Sequence, residues 1–85
     1  MFDFSGKTVL ITGASMGLGE GFALGFAEAG ADLVLPARSA DLLEAVAEQC
    51  RAKGSTVTVV PGDVSIEADV ARVVATAIGV RDAAR

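Results

Sequence analysis

The chain has 85 residues, of which 52% are apolar, and its formal net charge is −4. This length suits one small domain, and the scattered basic residues argue against a nucleic-acid partner. No apolar run approaches the roughly 18 residues of a membrane span, and the first residues lack the basic region of a secretory signal, so we expect a cytoplasmic protein without a membrane partner.

The first half of the chain predicts a strand, a helix and a second strand. The β-branched run at 7–12 is bounded by glycines, which is typical of a buried strand. A helical pattern follows from Gly17 to Ala29, and residues 31–37 predict the second strand. The residues expected to form the apolar face of this helix are Leu18, Phe22, Gly25, Phe26 and Ala29.

The second half of the chain repeats this alternation. Ser39 is a suitable N-cap for a helix that ends at Gly54, and we expect the thiol of Cys50 to be buried on its apolar face. Because Cys50 is the only cysteine and the chain has no histidine, we expect neither a disulfide nor a metal site. Residues 55–60 predict a third strand, and Ser65 is placed to cap a third helix. The apolar face of that helix is expected at Val70, Val73, Val74, Ala77 and Ile78.

The order βαβαβα predicts an α/β fold, Rossmann-like, with a three-stranded parallel sheet in the order 3-2-1. The first two helices should cover one face of the sheet and the third helix the other. A complete doubly wound sheet places a fourth strand beside strand one. In this truncated form strand one is therefore an open edge, which predicts a homo-oligomer or a partner chain that pairs with it.

The glycine-rich turn TGASMGLGE at 12–20 lies between the first strand and the first helix. The N-terminus of a helix offers unpaired N–H groups and a partial positive charge, and glycine lets the backbone approach a bound phosphate closely. The spacing T-G-x-x-x-G-x-G is neither that of a P-loop nor G-x-G-x-x-G. The alternative is that these glycines serve only close packing of the helix against the strand.

Four strings resemble the short-chain dehydrogenase/reductase family: FSGKTVLITG at 4–13, TGASMGLG at 12–19, ARS at 37–39 and GDVS at 62–65. The resemblance implies a dinucleotide-binding domain over 1–79, followed by a short tail at 80–85. It also implies that Asp63 accepts a hydrogen bond from the adenine amino group and that Val64 packs on the adenine ring. The residues expected to bind the cofactor are Gly13, Ser15, Met16, Gly17, Leu18, Gly19, Arg38, Ser39, Asp63 and Val64.

The residues after the second strand favour NADP(H) over NAD(H), although NAD(H) stays possible. An acidic residue at this place holds the 2′-hydroxyl of NAD, whereas an arginine accommodates the 2′-phosphate of NADP. Here Ala37 stands where the NAD-preferring members of the family tend to carry aspartate, and Arg38 follows it. The alternatives are that Arg38 is a solvated surface residue and that Asp63 is a turn or capping residue.

The catalytic residues of the family are missing. Its members use a serine and a Y-x-x-x-K motif, but this chain has no tyrosine, and its only lysines are Lys7 and Lys53. We therefore expect no catalysis by this chain alone. The leading hypothesis is the NADP(H)-binding N-terminal segment of an oxidoreductase, whose full-length parent transfers a hydride between NADP(H) and an alcohol or carbonyl. The alternatives are a non-catalytic dinucleotide-binding or self-associating module, and a nucleotide-sugar site in the same loop.

Overall fold

The structure, a computed structural model, describes residues 3–14, 17–38 and 40–83. Strands and helices alternate as the sequence predicts. They are β1 (Thr8–Leu10), α1 (Gly17–Glu28), β2 (Asp32–Ala37), α2 (Ala40–Ala52), β3 (Val57–Pro61) and α3 (Glu67–Ala83). The strands form one sheet in the order β1-β2-β3, and both neighbouring pairs are parallel. The Rossmann-like class and the predicted strand order are confirmed.

β2 lies in the centre of the sheet and contains Pro36. Thr8 to Leu10 pair with Asp32 to Val34, while Leu33 to Ala37 pair with Val57 to Pro61. In a parallel ladder alternate residues face the same neighbour, so Pro36, like Asp32 and Val34, faces β1. β1 has ended by that level, so the missing N–H of Pro36 leaves no ladder bond unmade.

The two faces of the sheet carry two separate apolar clusters. The larger cluster includes Leu33 and Leu35 of β2 and packs beneath α1 and α2. The smaller cluster joins Val34 and Val60 to Val73 of α3 on the opposite face. This confirms the expected placement of the helices. Cys50 of α2 is fully buried, as predicted.

The predicted apolar face of α1 is wrong in part. The buried residues of this helix are Ala23 and Ala27, whereas Leu18 is 74% exposed and Phe22 is 52% exposed. Phe26 does contribute, since its ring meets that of Phe4 edge-on with the ring centroids 5.1 Å apart. The alanines face the sheet because small side chains let a helix approach it closely.

α3 also differs from its prediction. It continues to Ala83, so residues 80–83 of the tail expected at 80–85 are helical, and Val80 packs against the smaller cluster. Of its predicted apolar face only Val73 is buried, and Ile78 is 44% exposed. Ser65 does not cap this helix, because its hydroxyl donates to Asp63 Oδ1 at 2.7 Å. Within the described ranges, no helix is both long and apolar enough to cross a membrane.

Candidate functional site

The candidate site lies along the edge of the sheet where all three strands end. Because the strands are parallel, the segments that follow Leu10, Ala37 and Pro61 leave the sheet on the same side. Two of these segments are joined directly, since the Gly62 N–H donates to the Ala37 carbonyl at 2.9 Å. The residues that follow β2 and β3 therefore form one continuous rim beside the start of α1.

The glycine loop after β1 adopts a conformation that its glycines make possible. Gly13 has φ 67° and Gly17 has φ 60°, both in the left-handed region that other residues rarely occupy. Gly19 has a different role, because a Cβ built there would lie 2.1 Å from the Gly13 carbonyl oxygen. The first turn of α1 thus packs directly on the backbone of the loop. A Cβ at Gly13 or Gly17 would meet no atom within 4 Å among the described residues beyond its own chain neighbours and its own helix backbone.

Part of the predicted phosphate loop can be placed and part cannot. Ser15, Met16 and Ser39 lie outside the described residues. Leu18, in the first turn of α1, is 74% exposed. Val64, after β3, is 49% exposed. The exposure of these two apolar side chains leaves both accessible to a ligand at the rim.

Arg38 and Asp63 come together where β2 and β3 end. Arg38 is exposed and Asp63 is half-buried. Hydrogen bonds from the side chain and backbone of Ser65 lower the pKa of Asp63, and the nearby charge of Arg38 lowers it further. Among the described residues, only Ser65 is seen to donate to this carboxylate, from its backbone N–H and from its hydroxyl, both to Oδ1. Asp63 is thus an ionised acceptor with its second oxygen available at the rim.

This arrangement suits an anionic ligand with an adjacent hydrogen-bond donor. A helix N-terminus supplies unpaired N–H groups and a partial positive charge, and here it follows a loop whose Gly13 and Gly17 are not crowded by the other described residues. Arg38 adds a guanidinium that matches a phosphate, and Asp63 adds an acceptor. These groups fit a dinucleotide. Within the described ranges, no cluster of three or more His, Cys, Asp or Glu side chains is arranged to hold a metal ion.

Two residues that hold this rim were not predicted from the sequence. Asp69 Oδ2 accepts the Asp63 N–H at 2.8 Å, and Arg72 donates to the Pro61 carbonyl. Both side chains project from α3 back to the loop. The signal in the sequence is an acidic residue in the first turn of a helix, seven residues after a Pro-Gly break, with an arginine three residues later. Because this pattern is common on solvated helices, it does not distinguish Asp69 and Arg72 from ordinary surface residues.

Comparison with known proteins gives the family. The family model described as short chain dehydrogenase matches residues 7–80. The chain belongs to the short-chain dehydrogenase/reductase family. A glucose 1-dehydrogenase of Gluconobacter oxydans (strain 621H) is 49% identical over 76 residues, which cover 88% of this chain and 29% of that protein. The chain thus spans less than a third of this relative's length.

Solved structures agree with that assignment. A short-chain type dehydrogenase/reductase from Mycobacterium marinum is 40% identical, with a TM-score of 0.87 over 92% of this chain and 32% of that one. A xylitol dehydrogenase bound to NAD+ is 30% identical, with a TM-score of 0.87 over 93% of this chain and 30% of that one. The family consists of oxidoreductases with a Rossmann fold that bind nicotinamide dinucleotides.

Proposed function

We propose that this chain is the NADP(H)-binding N-terminal segment of a short-chain dehydrogenase/reductase. In the full-length parent, a hydride passes between NADP(H) and an alcohol or carbonyl. The serine, tyrosine and lysine that carry the reaction come from the part of the fold that this chain does not contain. The loop from Gly13 to Gly19 holds the phosphates, while Asp63 and Val64 receive the adenine. A cytoplasmic location stays a prediction.

The observation that carries the cofactor preference is Arg38 at the end of β2. It directly follows Ala37, which stands where NAD-binding members tend to carry an aspartate. This position therefore has no carboxylate. Asp63, a carboxylate whose charge interacts with that of Arg38 at this rim, lies on the adenine side of the proposed site. A 2′-phosphate would therefore meet the guanidinium without close repulsion, and a charge-assisted bidentate contact is among the stronger hydrogen-bonded pairs.

Calorimetric titration of the 85-residue chain with NADPH and NADH tests this preference. The wild-type chain should bind NADPH more tightly than NADH. Arg38→Asp should weaken NADPH binding about tenfold or more, because the contact is worth roughly 1.5–3 kcal/mol, and it should change NADH binding by less than about twofold. Lys53→Asp makes the same change of charge in the turn before β3, far from the rim, and should change neither. Equal losses for both cofactors in Arg38→Asp would contradict the assignment.

We also propose that the chain self-associates through the free edge of β1. The Asp32 N–H donates to the Lys7 carbonyl and the Ile11 N–H to the Val34 carbonyl. The intervening Thr8 and Leu10 therefore direct their backbone groups away from β2. Two such edges can pair in antiparallel fashion about a twofold axis, which is a self-complementary arrangement.

The surface beside this edge is apolar. A groove of about 190 Å³ follows it, lined by Thr8, Leu10, Val74, Ala77, Ile78 and Arg81. Leu10 is 40% exposed, and the buried Thr8 Oγ1 has no hydrogen-bond partner among the described residues. Sedimentation equilibrium should show a dimer that Leu10→Lys converts to monomer, while Phe22→Lys, on α1, should leave it intact. A stable wild-type monomer would contradict self-association and leave a different chain as the partner of this edge.

A further inference from the structure

The loop between β3 and α3 is held at both ends by two side chains of α3. Asp69 Oδ2 accepts the Asp63 N–H at 2.8 Å. The Arg72 guanidinium donates to the Pro61 carbonyl and lies 3.5 Å from Asp69 Oδ1. The bonded groups at Pro61 and Asp63 flank Gly62, whose own N–H donates to Ala37. We call Asp69 and Arg72 the loop brace.

The brace packs directly on the loop backbone. A Cβ built on Gly62 would lie 2.7 Å from Arg72 Nη2 and 3.6 Å from Asp69 Cβ. The absence of a side chain at this glycine is thus what lets the guanidinium reach the Pro61 carbonyl. With three consecutive residues fixed by hydrogen bonds to β2 and α3, the direction in which the chain leaves β3 is set.

Asp69 does not act as an ordinary helix cap. An acidic residue in the first turn commonly returns its side chain to the N–H at the start of its own helix. Here the Ile66 N–H is already taken by the Asp63 carbonyl at 2.9 Å, and Asp69 reaches beyond it to the Asp63 N–H. Its carboxylate therefore determines the orientation of a residue in the loop rather than the end of the helix.

We propose that Asp69 and Arg72 are positioning residues of the adenine subsite. The brace fixes the backbone of Asp63, and Ser65 fixes its carboxylate, donating to Oδ1 from its N–H at 2.9 Å and from its hydroxyl at 2.7 Å. Together they keep Asp63 Oδ2 and the Val64 side chain directed at one place on the rim. This inference rests on the proposed function, because it assigns the adenine of the dinucleotide to that place.

The test measures how well the chain distinguishes adenine from hypoxanthine. NADPH offers an amino group to Asp63, whereas its deamino analogue, which carries hypoxanthine, presents a carbonyl oxygen there. The wild-type chain should bind NADPH about tenfold or more tightly than the analogue, since a hydrogen bond to a charged group contributes roughly 1.5–3 kcal/mol. Asp69→Ala should reduce this preference to about twofold or less, because Asp63 is no longer held in place.

Matched variants separate positioning from stability. Asp69→Asn keeps an oxygen acceptor for the Asp63 N–H and should retain most of the preference. Glu67→Ala removes the same charge from the same turn, at an exposed residue outside the brace, and should retain all of it. Arg72→Met leaves Asp69 in place, frees the Pro61 carbonyl and should lower the preference. If circular dichroism shows that Asp69→Ala is unfolded, Arg72→Met provides the measurement.

Each outcome decides between the two proposals. If the wild-type chain prefers NADPH over its analogue but Asp69→Ala and Arg72→Met keep that preference, the brace is only structural and the inference is overturned. If the wild-type chain binds both compounds equally, Asp63 does not read the adenine and the inference also fails, while dinucleotide binding stands. If it binds neither compound, the proposed function fails first and the inference fails with it.

Discussion

Replacing Gly19 by alanine should damage this fold more than the same change two residues later. The new Cβ would lie 2.1 Å from the Gly13 carbonyl oxygen and 2.7 Å from the carbonyl carbon, both of them backbone atoms that cannot rotate away. Reaching even 3.0 Å requires the loop or helix to move by about 0.9 Å. At Gly21 a new Cβ would meet no atom within 4 Å among the described residues outside its own helix backbone.

The expected magnitudes follow from these two environments. Alanine is favoured over glycine within a helix by about 0.8–1 kcal/mol, so Gly21→Ala should stabilise the chain by close to that amount. Gly19→Ala receives the same contribution but also forces backbone atoms apart, and overpacking of this kind typically costs about 1–3 kcal/mol, occasionally more. With a 2.1 Å contact to backbone we expect the upper part of that range. The two variants should differ by roughly 2–4 kcal/mol in the free energy of unfolding.

Urea unfolding followed by far-ultraviolet circular dichroism measures this difference, since the chain has neither tryptophan nor tyrosine to report by fluorescence. For a domain of this size a slope of about 1 kcal/mol per molar urea converts the difference into midpoints about 2 M or more apart. Midpoints within about 0.3 M of each other would show that the Gly13 carbonyl does not rest on Gly19. The packing of the loop described above would then be wrong.

Three further outcomes follow from single groups in the structure. Thr8→Val should raise the free energy of unfolding, measured with urea, by about 1 kcal/mol. The buried Thr8 Oγ1 has no hydrogen-bond partner among the described residues, and valine removes this oxygen at equal volume. A loss of stability would show that the hydroxyl has a partner. Burial raises the pKa of the Cys50 thiol, so the stability that the neutral thiol contributes is complete below the ordinary pKa of 9.0 and declines as the pH rises above it. Above that pH, the urea midpoint of the wild-type chain should therefore fall more than the midpoint of Cys50→Ala. Hydrogen bonds from Ser65 lower the pKa of Asp63 below the ordinary value of 3.8, so this carboxyl group is ionised throughout the range from about pH 5 to about pH 8. The preference for NADPH over its deamino analogue should therefore be constant across that range. A decline within it would contradict the role of Asp63.

The alternation of elements could be predicted because each one carries a local signal. The β-branched runs and the breaks between them fix the strands, and the rule for parallel crossovers fixes their order. Boundaries were less exact for physical reasons. β3 begins at Val57 rather than at 55, because the Ser55 N–H donates to the Cys50 carbonyl at 3.4 Å and so belongs to the turn that ends α2.

The orientation of α1 and α3 could not be predicted as well, because both helices are apolar on more than one side. In α1 the large residues Leu18 and Phe22 suggested the core face, yet Ala23 and Ala27 occupy it. Periodicity gives the spacing of apolar residues but does not say which of two apolar faces meets the sheet. The loop brace was missed for a different reason. Asp69 and Arg72 form hydrogen bonds with backbone groups of Asp63 and Pro61, which lie six and eleven residues earlier in the chain. No local sequence pattern indicates contacts over such separations.

Cofactor binding at the rim and self-association at the edge of β1 should be separable by mutation. At the rim where the strands end, hydrogen bonds within the chain hold the loops, as between Gly62 and Ala37, so we expect the proposed cofactor binding not to require the edge of β1. At that edge the chain leaves Leu10 40% exposed and Thr8 Oγ1 without a partner among the described residues. Leu10→Lys should therefore abolish association while leaving NADPH affinity within about twofold, and Arg38→Asp should do the reverse. Loss of NADPH binding in Leu10→Lys, in a variant that keeps its helical circular dichroism, would show that the rim is completed only when β1 is paired.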